Sequence, residues 1–280
     1  MITIFRRFTA FLAFSLVSFG ASSMPIMSGL ELWLDASTLS TGTTSVSTWS
    51  DQSGNGRNAT QTISGNTPTY TANNPLFLNR PTVSFDGNDF LTSDLASTMG
   101  ITGGSARTIF FVFSQDSALS RNILGYGANG GNQLFDIAAA GQEISGHFYS
   151  TPFVNGSQTF TLNQMTVGSV IYDSNAFQAF QHDASFNGQT VSTTAYPLNT
   201  GDSAFKIGGG VYSSYNSFNG DIAEILVYSG ALSASDRGMV DNYLYTKYTT
   251  AASVPEPTTL ALLGVGLAGI GYRRRQLQKA

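Results

Sequence analysis

Short apolar or alternating segments, separated by clusters of Gly, Asn, Ser and Asp, fill the chain from Ser28 to Tyr248. Segments of this length are typical of β-strands, and the polar clusters between them are typical of turns. In the first segment, the leucines at positions 30, 32 and 34 share one face of the predicted strand. The pattern predicts an all-β sandwich. Ten strands are predicted: Leu30–Leu34, Thr82–Phe85, Thr108–Phe113, Asn122–Tyr126, Gln133–Ala138, Ile144–Tyr149, Met165–Tyr172, Phe177–Gln181, Phe205–Gly208 and Ile222–Tyr228.

One segment near the end of this region has helical periodicity. Ser233 is a favourable N-cap, Asp236 follows three residues later, and the next apolar residues recur at helical spacing. These apolar residues are Met239, Val240, Tyr243, Leu244 and Tyr248. We expect one short helix that packs against the sandwich. Since no proline-rich linker or shift of composition divides residues 28–248, they form a single predicted domain, and residues 249–253 form a linker.

The composition agrees with a packed β domain. The 280 residues are 41% hydrophobic and only 11% charged, and they include 20 Phe, 12 Tyr and two Trp. Disordered chains instead combine few aromatic residues with a high net charge. Cysteine is absent, which excludes disulfides, thiolate metal sites and cysteine nucleophiles.

The basic residues are concentrated at the two ends of the chain. Six of the 13 stand at positions 6, 7, 273, 274, 275 and 279, so the stretch between these clusters holds seven basic residues against 17 acidic ones, a net charge of −10. Nucleic-acid binding requires clustered Lys and Arg on the folded body. DNA and RNA are therefore excluded as partners.

Residues 1–23 have the features of a secretory signal peptide. Arg6 and Arg7 precede the apolar stretch Phe8–Phe19, and small residues follow at positions 20–23. The apolar stretch is shorter than the roughly 20 residues that a membrane-spanning helix needs. We expect general export, with cleavage near Ala21 or Ser23; a twin-arginine signal is the alternative interpretation of the arginine pair.

The last 27 residues, 254–280, contain three parts in a fixed order. A Pro-Glu-Pro element is followed by the apolar stretch 258–272 and by an arginine cluster, which stays cytoplasmic by the positive-inside rule. This order resembles the PEP-CTERM sorting signal of exopolysaccharide-producing Gram-negative bacteria. The resemblance implies a transmembrane intermediate in the inner membrane, processing by an exosortase, and delivery to the cell surface or extracellular matrix. Its motif residues are Val254, Pro255, Glu256, Pro257, Arg273, Arg274 and Arg275.

Several segments of the predicted domain resemble a laminin-G-like domain of the concanavalin A-like lectin/glucanase superfamily. The resemblance covers roughly 220 residues and implies a jelly-roll β-sandwich with one short helix after the last strand. Its segments are GLELWLDAS (29–37), WSDQSGNGRNAT (49–60), PTVSFDGNDFL (81–91), RTIFFVFS (107–114), FKIGGG (205–210), FNGDIAEILVYSGALSASDR (218–237) and YLYTKY (243–248). Such sandwiches serve as lectins, adhesion modules and glucanases, so the fold alone does not decide the function.

No catalytic constellation is complete in the sequence. A glucanase of this superfamily needs two carboxylates on one face of a strand, whereas the spacing of Asp221 and Glu224 predicts opposite faces. Neither His147 nor His182 accompanies a Gly-x-Ser-x-Gly elbow, and we expect both to be surface-strand residues. The Gly-x-Gly-x-x-Gly at 125–130 is followed by another strand, so it predicts a turn. These patterns predict a protein that is not an enzyme.

A loop beginning at Asp51 offers side-chain oxygens at alternate positions, as a calcium loop does. Asp51, Ser53 and Asn55 precede Gly56, but Thr62 stands where an EF-hand would carry its bidentate Glu. Two interpretations remain open: calcium ligands completed by other oxygens, or side chains that bond turn amides. No other cofactor is expected.

The segment Gly208–Asn219 combines aromatic and small polar residues, a pattern typical of saccharide-binding loops. Its candidate ligand residues are Tyr212, Tyr215, Asn216 and Phe218; the alternative is that the tyrosines cover a sheet edge. Trp33 and Trp49 are further candidates, with Trp33 expected in the core.

The sequence as a whole predicts an exported, non-enzymatic protein of the cell surface or matrix that binds extracellular polysaccharide or acts in adhesion. Its expected partners are exosortase, the secretion machinery and, before processing, the membrane. Two alternatives remain: a polysaccharide-cleaving glycoside hydrolase of the same fold, and a structural adhesin with protein partners.

Overall fold

The computed structural model of the chain describes residues 24–40, 42, 44–119, 121–149, 154–155, 159–182, 189–211 and 217–250. In these residues, two antiparallel sheets of eight strands each face one another, and one α-helix packs on the outside of the first sheet. The predicted signal peptide (1–23) and sorting segment (254–280) lie outside the described residues, so their predicted structures remain predictions.

The elements run in chain order from Leu30 to Thr249. The strands are β1 (Leu30–Asp35), β2 (Thr48–Trp49), β3 (Ala59–Thr60), β4 (Thr69–Asn74), β5 (Arg80–Asp86), β6 (Leu91–Leu95), β7 (Arg107–Gln115), β8 (Arg121–Gly127), β9 (Leu134–Ala140), β10 (Glu143–His147), β11 (Val154–Asn155), β12 (Thr166–Tyr172), β13 (Ala176–His182), β14 (Gln189–Ala195), β15 (Ala204–Ile207) and β16 (Asn219–Tyr228). Helix α1 (Ala234–Thr249) follows β16, and short 3₁₀ turns occur at Ala36–Thr38, Ser64–Asn66 and Pro75–Phe77.

The first sheet has the order β14-β13-β12-β7-β16-β5-β4, and the second has the order β11-β10-β9-β8-β15-β6-β3-β2. Strand β16 is the organising strand of the first sheet. Along one edge it pairs with β7; along the other, its first half pairs with β5 and its second half with β1. Among the described residues, the last strand therefore pairs with the first strand inside the sheet.

The main hydrophobic core lies between the two sheets. On β7 the inward residues alternate, with Ile109, Phe111 and Phe113 in this core. Trp49 and Phe135 reach the same core from the second sheet, and both are fully buried. Because every residue of β7 is buried, its outward residues are covered as well.

Helix α1 covers the outer face of the first sheet. Ser233 caps the helix: its Oγ accepts the Asp236 amide at 3.1 Å. Val240 and Leu244 are fully buried against the outward side chain of Phe110. The predicted helix is confirmed, and of its five expected apolar residues all but Met239 are buried.

The end of α1 lies beside the start of β5. The Arg80 guanidinium donates a hydrogen bond to the Thr250 carbonyl at 3.2 Å. At about 3.3 Å per residue, the seven residues from Arg80 to Asp86 span roughly 20 Å. The point where the chain leaves toward its C-terminal segment is thus at one end of β5, and Asp86 is at the other.

All ten predicted strands are present within a few residues of their expected limits. Six strands were not predicted: β2, β3, β4, β6, β11 and β14. Strands β2, β3 and β11 have only two residues each, and the sequences of β4, β6 and β14 (TYTANN, LTSDL and QTVSTTA) lack a clear apolar pattern. Among the described residues, no helix has both the length and the apolar character that crossing a membrane requires.

Candidate functional site

The two acids of β16 lie on the same face of the strand, not on opposite faces as expected. The register of β16 against β7 shifts between Ile222 and Glu224, so one extra residue is inserted there. Glu224 points toward α1, where it accepts a hydrogen bond from Tyr243. Asp221 accepts a hydrogen bond from Ser84, which is on the outer face because its two chain neighbours belong to the inter-sheet core. Both carboxylates are therefore on the outer face.

Glu224 is sealed beneath the helix with 0% of its surface exposed. Burial raises the pKa of Glu224, and the nearby Lys247 ammonium opposes that rise. Lys247 also contacts the Asp35 carboxylate, at 2.6 Å. Four donors saturate the Glu224 carboxylate: Trp33 Nε1 at 2.7 Å, Tyr243 Oη at 2.6 Å, Lys247 Nζ at 2.8 Å and Tyr248 Oη at 3.0 Å. This cluster holds α1 on the sheet and leaves no oxygen for a substrate.

A polar cavity of about 390 Å³ lies at the end of the sandwich where β5 turns into β6. We call it the loop-base cavity, because Asn219, the last residue of the predicted saccharide loop, is part of its wall. Its other polar side chains are the hydroxyls of Ser64, Thr67, Thr69 and Ser84 and the carboxyls of Asp86, Asp89 and Asp116. The size is within the range of small-molecule sites.

Two carboxyls of the cavity, those of Asp89 and Asp116, have a raised pKa. Burial raises the pKa of Asp89; a hydrogen bond from the Asp86 amide opposes this, and the Asp86 charge adds to the rise. Burial and the charge of Asp221 raise the pKa of Asp116. The cavity therefore offers acceptor oxygens beside hydroxyl groups, a combination that suits ligands rich in hydroxyls.

Three consecutive glycines connect this cavity to the second sheet. A Cβ at Gly208 would lie 2.3 Å from the Phe85 ring, and Gly208 has a positive φ of 80°. A Cβ at Gly210 would lie 2.1 Å from the Asn122 amide nitrogen. The backbone runs in direct contact with these side chains, so residues with a Cβ do not fit there without movement.

Asp136 lies under the third glycine on the outer face of the second sheet, with 1% of its surface exposed. Its Oδ1 accepts the Val211 amide at 3.2 Å, and its Oδ2 accepts Asn122 Nδ2 at 3.4 Å. Burial raises the pKa of Asp136 to about 7, although the Val211 hydrogen bond and the charge of Lys206 lower it. Burial also lowers the pKa of Lys206. An acid titratable near neutral pH thus supports the base of the loop.

Of the four predicted ligand residues, the structure describes only Phe218. Phe218 is fully buried in the inter-sheet core against Phe85 and Phe113, so the expectation of an exposed ring there is corrected. Tyr212, Tyr215 and Asn216 lie outside the described residues and remain predicted. Of the tryptophans, Trp49 is fully buried and Trp33 is half-buried, with its indole N–H on Glu224.

The Asp51 loop is held by its own hydrogen bonds. The Asp51 carboxylate accepts the amides of Trp33, Ser53 and Arg57 at 2.9–3.0 Å, and also the Ser53 hydroxyl at 2.8 Å. Asn55 turns its Nδ2 donor toward the Leu30 carbonyl at 3.0 Å. The guanidinium of Arg57, in the same loop, donates a hydrogen bond to the Glu31 carbonyl of β1. This geometry favours the turn interpretation of Asp51, Ser53 and Asn55 over calcium, and no group of three or more His, Asp or Glu side chains in the described residues is placed to hold a metal.

The two histidines lie on strands of different sheets, His147 in the second and His182 in the first. His147 is half-buried on β10, and burial lowers its pKa. His182 was expected at the surface but is 9% exposed, with its Nε2 3.5 Å from the Asp241 carboxylate of α1. Residues 125–130 end β8 and enter a turn before β9, as predicted.

The sequence reasoning missed the acids of the cavity and Asp136. A signal for Asp136 was present, because it is a charged residue inside the apolar strand LFDIAAA. The three glycines at 208–210 were a second signal, since a glycine run marks a close approach of the backbone. Asp86 and Asp89 lie at the turn between β5 and β6, whereas Asp116 follows β7, and only the fold brings Asp116 beside the other two.

Comparison with known families identifies the C-terminal segment. The PEP-CTERM protein-sorting motif matches residues 253–275, which confirms the predicted signal. The motif indicates export to the cell surface or the exterior through exosortase. No curated protein matches the chain in sequence.

Solved structures share the fold of the described domain. Domain 4 of AbnA, an extracellular arabinanase from Geobacillus stearothermophilus solved with arabinotriose, has a TM-score of 0.53 at 17% identity, covering 76% of this chain and 97% of that one. Trypanosoma rangeli sialidase with 2,3-difluorosialic acid has a TM-score of 0.57 at 13% identity, covering 79% and 34%. An arabinofuranosidase complexed with arabinofuranosyl-xylobiose has a TM-score of 0.56 at 16% identity, covering 72% and 51%. At these identities the chain shares a two-sheet β fold with the three proteins and carries a PEP-CTERM sorting motif.

Proposed function

We propose that this chain is an exported, non-enzymatic protein of the cell surface or matrix, whose laminin-G-like jelly-roll sandwich binds saccharides at the loop-base cavity. The sorting motif at residues 253–275 supports the destination. The sandwich, with a helix following its last strand, supports the fold assignment.

The observation that carries the proposal is the composition of the loop-base cavity. Four hydroxyl side chains, three carboxyls and Asn219 surround about 390 Å³. Saccharides present many hydroxyls, each of which donates to carboxylates and accepts from hydroxyl or amide groups. The predicted saccharide loop ends at this wall. Domain 4 of AbnA, of which the chain matches nearly the whole length, was solved with arabinotriose, and this supports a saccharide as the ligand.

The non-enzymatic part of the proposal rests on the acids. Glycosidases of the usual kind separate two carboxyls by about 5–5.5 Å or by about 6.5–9.5 Å, around a bond that both can reach. Glu224 is sealed and saturated beneath α1. The Asp86 amide donates a hydrogen bond to the Asp89 carboxylate, and this bond stabilises the turn between β5 and β6.

A glycan array with the purified protein tests the proposal, using arabino-oligosaccharides as the first ligand. We expect Asp116→Asn and Ser84→Ala each to weaken binding severalfold, while the folded state is retained. Glu143→Gln, on strand β10 of the second sheet, is the matched control and is expected to bind as the unmodified protein does. Unchanged binding by both cavity variants would exclude the cavity, and absence of any glycan binding would favour the protein-binding adhesin.

A further inference from the structure

The carboxyl of Asp136 is held between the second sheet and the start of the saccharide loop. It is 1% exposed, and its two hydrogen bonds are long for a carboxylate, 3.2 Å from the Val211 amide and 3.4 Å from Asn122 Nδ2. A Cβ at Gly210 would lie 2.5 Å from its Oδ2. The backbone at 210–211 thus closes directly over the carboxyl.

The charged groups near Asp136 are on strands to either side of its own strand, β9. His147 is directly opposite it on β10, and Lys206 is on β15, with Gly125 of β8 between them. The Lys206 ammonium is 4.2 Å from the centre of the Phe90 ring and forms no ion pair within 4 Å among the described residues. Asp136 therefore lacks the close cation that would stabilise its ionised form in a buried position.

Burial without a close cation favours the neutral acid. The pKa of Asp136 is raised to about 7 by this burial, even with the Val211 hydrogen bond and Lys206 acting against it. If the backbone at 210–211 lifts from the sheet, water reaches the carboxyl and its pKa returns toward about 3.9. The closed loop base then binds a proton that the open loop base releases.

We propose that Asp136 is a proton-dependent latch for the loop base: uptake of one proton favours closure of residues 210–211 on the sheet, and its loss favours opening. Asp136 is thus a positioning residue, because it acts on the loop rather than on a ligand. Regulation of saccharide binding by this latch rests on the proposed function; the latch itself does not. Acidification stabilises the closed state of residues 210–211.

The direction in which pH shifts the opening of residues 210–211 follows from proton linkage. Because the closed state has the higher pKa, its advantage is complete at low pH and is lost as the pH rises from about 4 to about 7. Between pH 5.5 and 7.5 the opening equilibrium should rise about twentyfold, and above pH 8 it should level off.

Amide hydrogen exchange of residues 204–211 in the full-length chain measures this opening after correction for the intrinsic exchange rate. In the unmodified protein the opening equilibrium should rise with pH as stated above. In Asp136→Asn it should not depend on pH, because the asparagine side chain is similar in shape and neutral at every pH. Glu143→Gln on the neighbouring strand should keep the rise with pH. An opening equilibrium that is independent of pH in the unmodified protein overturns the proposal, as does an unchanged pH dependence in Asp136→Asn.

A second measurement does not depend on the variant folding. Carbon-13 NMR of the aspartate carboxyls should show one group that titrates near neutral pH and that disappears in any folded Asp136 variant. Titration of every aspartate below pH 5 overturns the latch. Neither experiment uses a saccharide, so failure of glycan binding and failure of the latch are separate results.

Discussion

Lys247 of α1 and Glu224 of β16 form an ion pair at 2.8 Å in the interior between helix and sheet. Glu224 is fully buried and Lys247 is nearly so. The same ammonium reaches Asp35 at 2.6 Å, so one cation lies between two carboxylates that are paired across β1 and β16. Replacing one charged member of such a buried site lowers the free energy of unfolding by more than the ion pair itself contributes. The reason is that the remaining charge is left buried without a partner.

We expect Lys247→Met to destabilise the fold by about 3–5 kcal/mol, since it leaves two buried carboxylates unpaired. Urea unfolding followed by tryptophan fluorescence measures this change. Arg237→Met, on the same helix and partly exposed, is the control and should cost less than about 1 kcal/mol. A loss below 1 kcal/mol for Lys247→Met would show that the pair does not hold the helix.

A methyl group at Gly210 meets Asn122 and Asp136, whereas one at Gly238 in α1 meets open space. Gly210→Ala should therefore destabilise the fold by about 1–3 kcal/mol, as overpacking does. Gly238→Ala should stabilise it by about 0.5–1 kcal/mol through helix propensity. Thermal unfolding should show a lower melting temperature for Gly210→Ala and a higher one for Gly238→Ala than for the unmodified protein. An unchanged melting temperature in Gly210→Ala would mean that the backbone at 210–211 is not closely packed on the sheet.

In the Asp51 loop, the ionised Asp51 carboxylate should stabilise the fold at neutral pH and lose this effect on acidification, whereas acidification favours the closed state at Asp136. Burial would raise the pKa of Asp51, but hydrogen bonds from Trp33, Ser53 and Arg57 lower it below its usual value. A lowered pKa stabilises the fold above about pH 3.8 and loses this effect as the pH falls below it. The stability difference between the unmodified protein and Asp51→Asn should shrink from pH 6 to pH 3.

The same loop should be indifferent to calcium. Because protein donors occupy both oxygens of Asp51, the midpoint of thermal unfolding should be equal in calcium and in EDTA. A calcium-dependent rise that Asp51→Asn abolishes would restore the metal interpretation of this loop.

We expect no hydrolysis of arabinan or β-glucans, since Glu224 is closed to solvent. A reducing-end assay against a heat-denatured control is sufficient. If sugar is released, loss of release in Asp116→Asn with normal folding would locate catalysis in the loop-base cavity and support the glycoside hydrolase alternative.

Sorting predicts a shortened chain at the cell surface. The motif at 253–275 leads us to expect cleavage near Val254–Pro257, so intact mass spectrometry of the surface form should lack the arginine cluster at 273–275. Mature surface protein that keeps residues 273–280 would contradict this.

The strands and helix could be predicted because their apolar periodicity is local. The helix begins at its predicted cap, and four of its five expected apolar residues are buried; Met239 is 53% exposed because it faces away from the sheet. The faces of Asp221 and Glu224 could not be predicted, since a β-bulge appears only when strand pairing is known.

The candidate site was only partly predictable for a related reason. The glycine run and the end of the saccharide loop are continuous in sequence, and the prediction found them. Asp116 belongs to a different turn from Asp86 and Asp89, and Asp136 becomes significant only when residues 210–211 cover it. Spatial convergence of this kind has no signature in one sequence.

Strand β5 separates Thr250, where the described part of the chain ends, from the loop-base cavity. Arg80, at its beginning, holds the carbonyl from which the sorting segment departs, and Asp86, at its end, forms the wall of the loop-base cavity. This strand, which lies next to the edge strand β4, spans roughly 20 Å between the two points. If the loop-base cavity is the saccharide site that we propose, a protease that acts on the segment after Thr250 would work at the opposite end of β5 from the bound ligand.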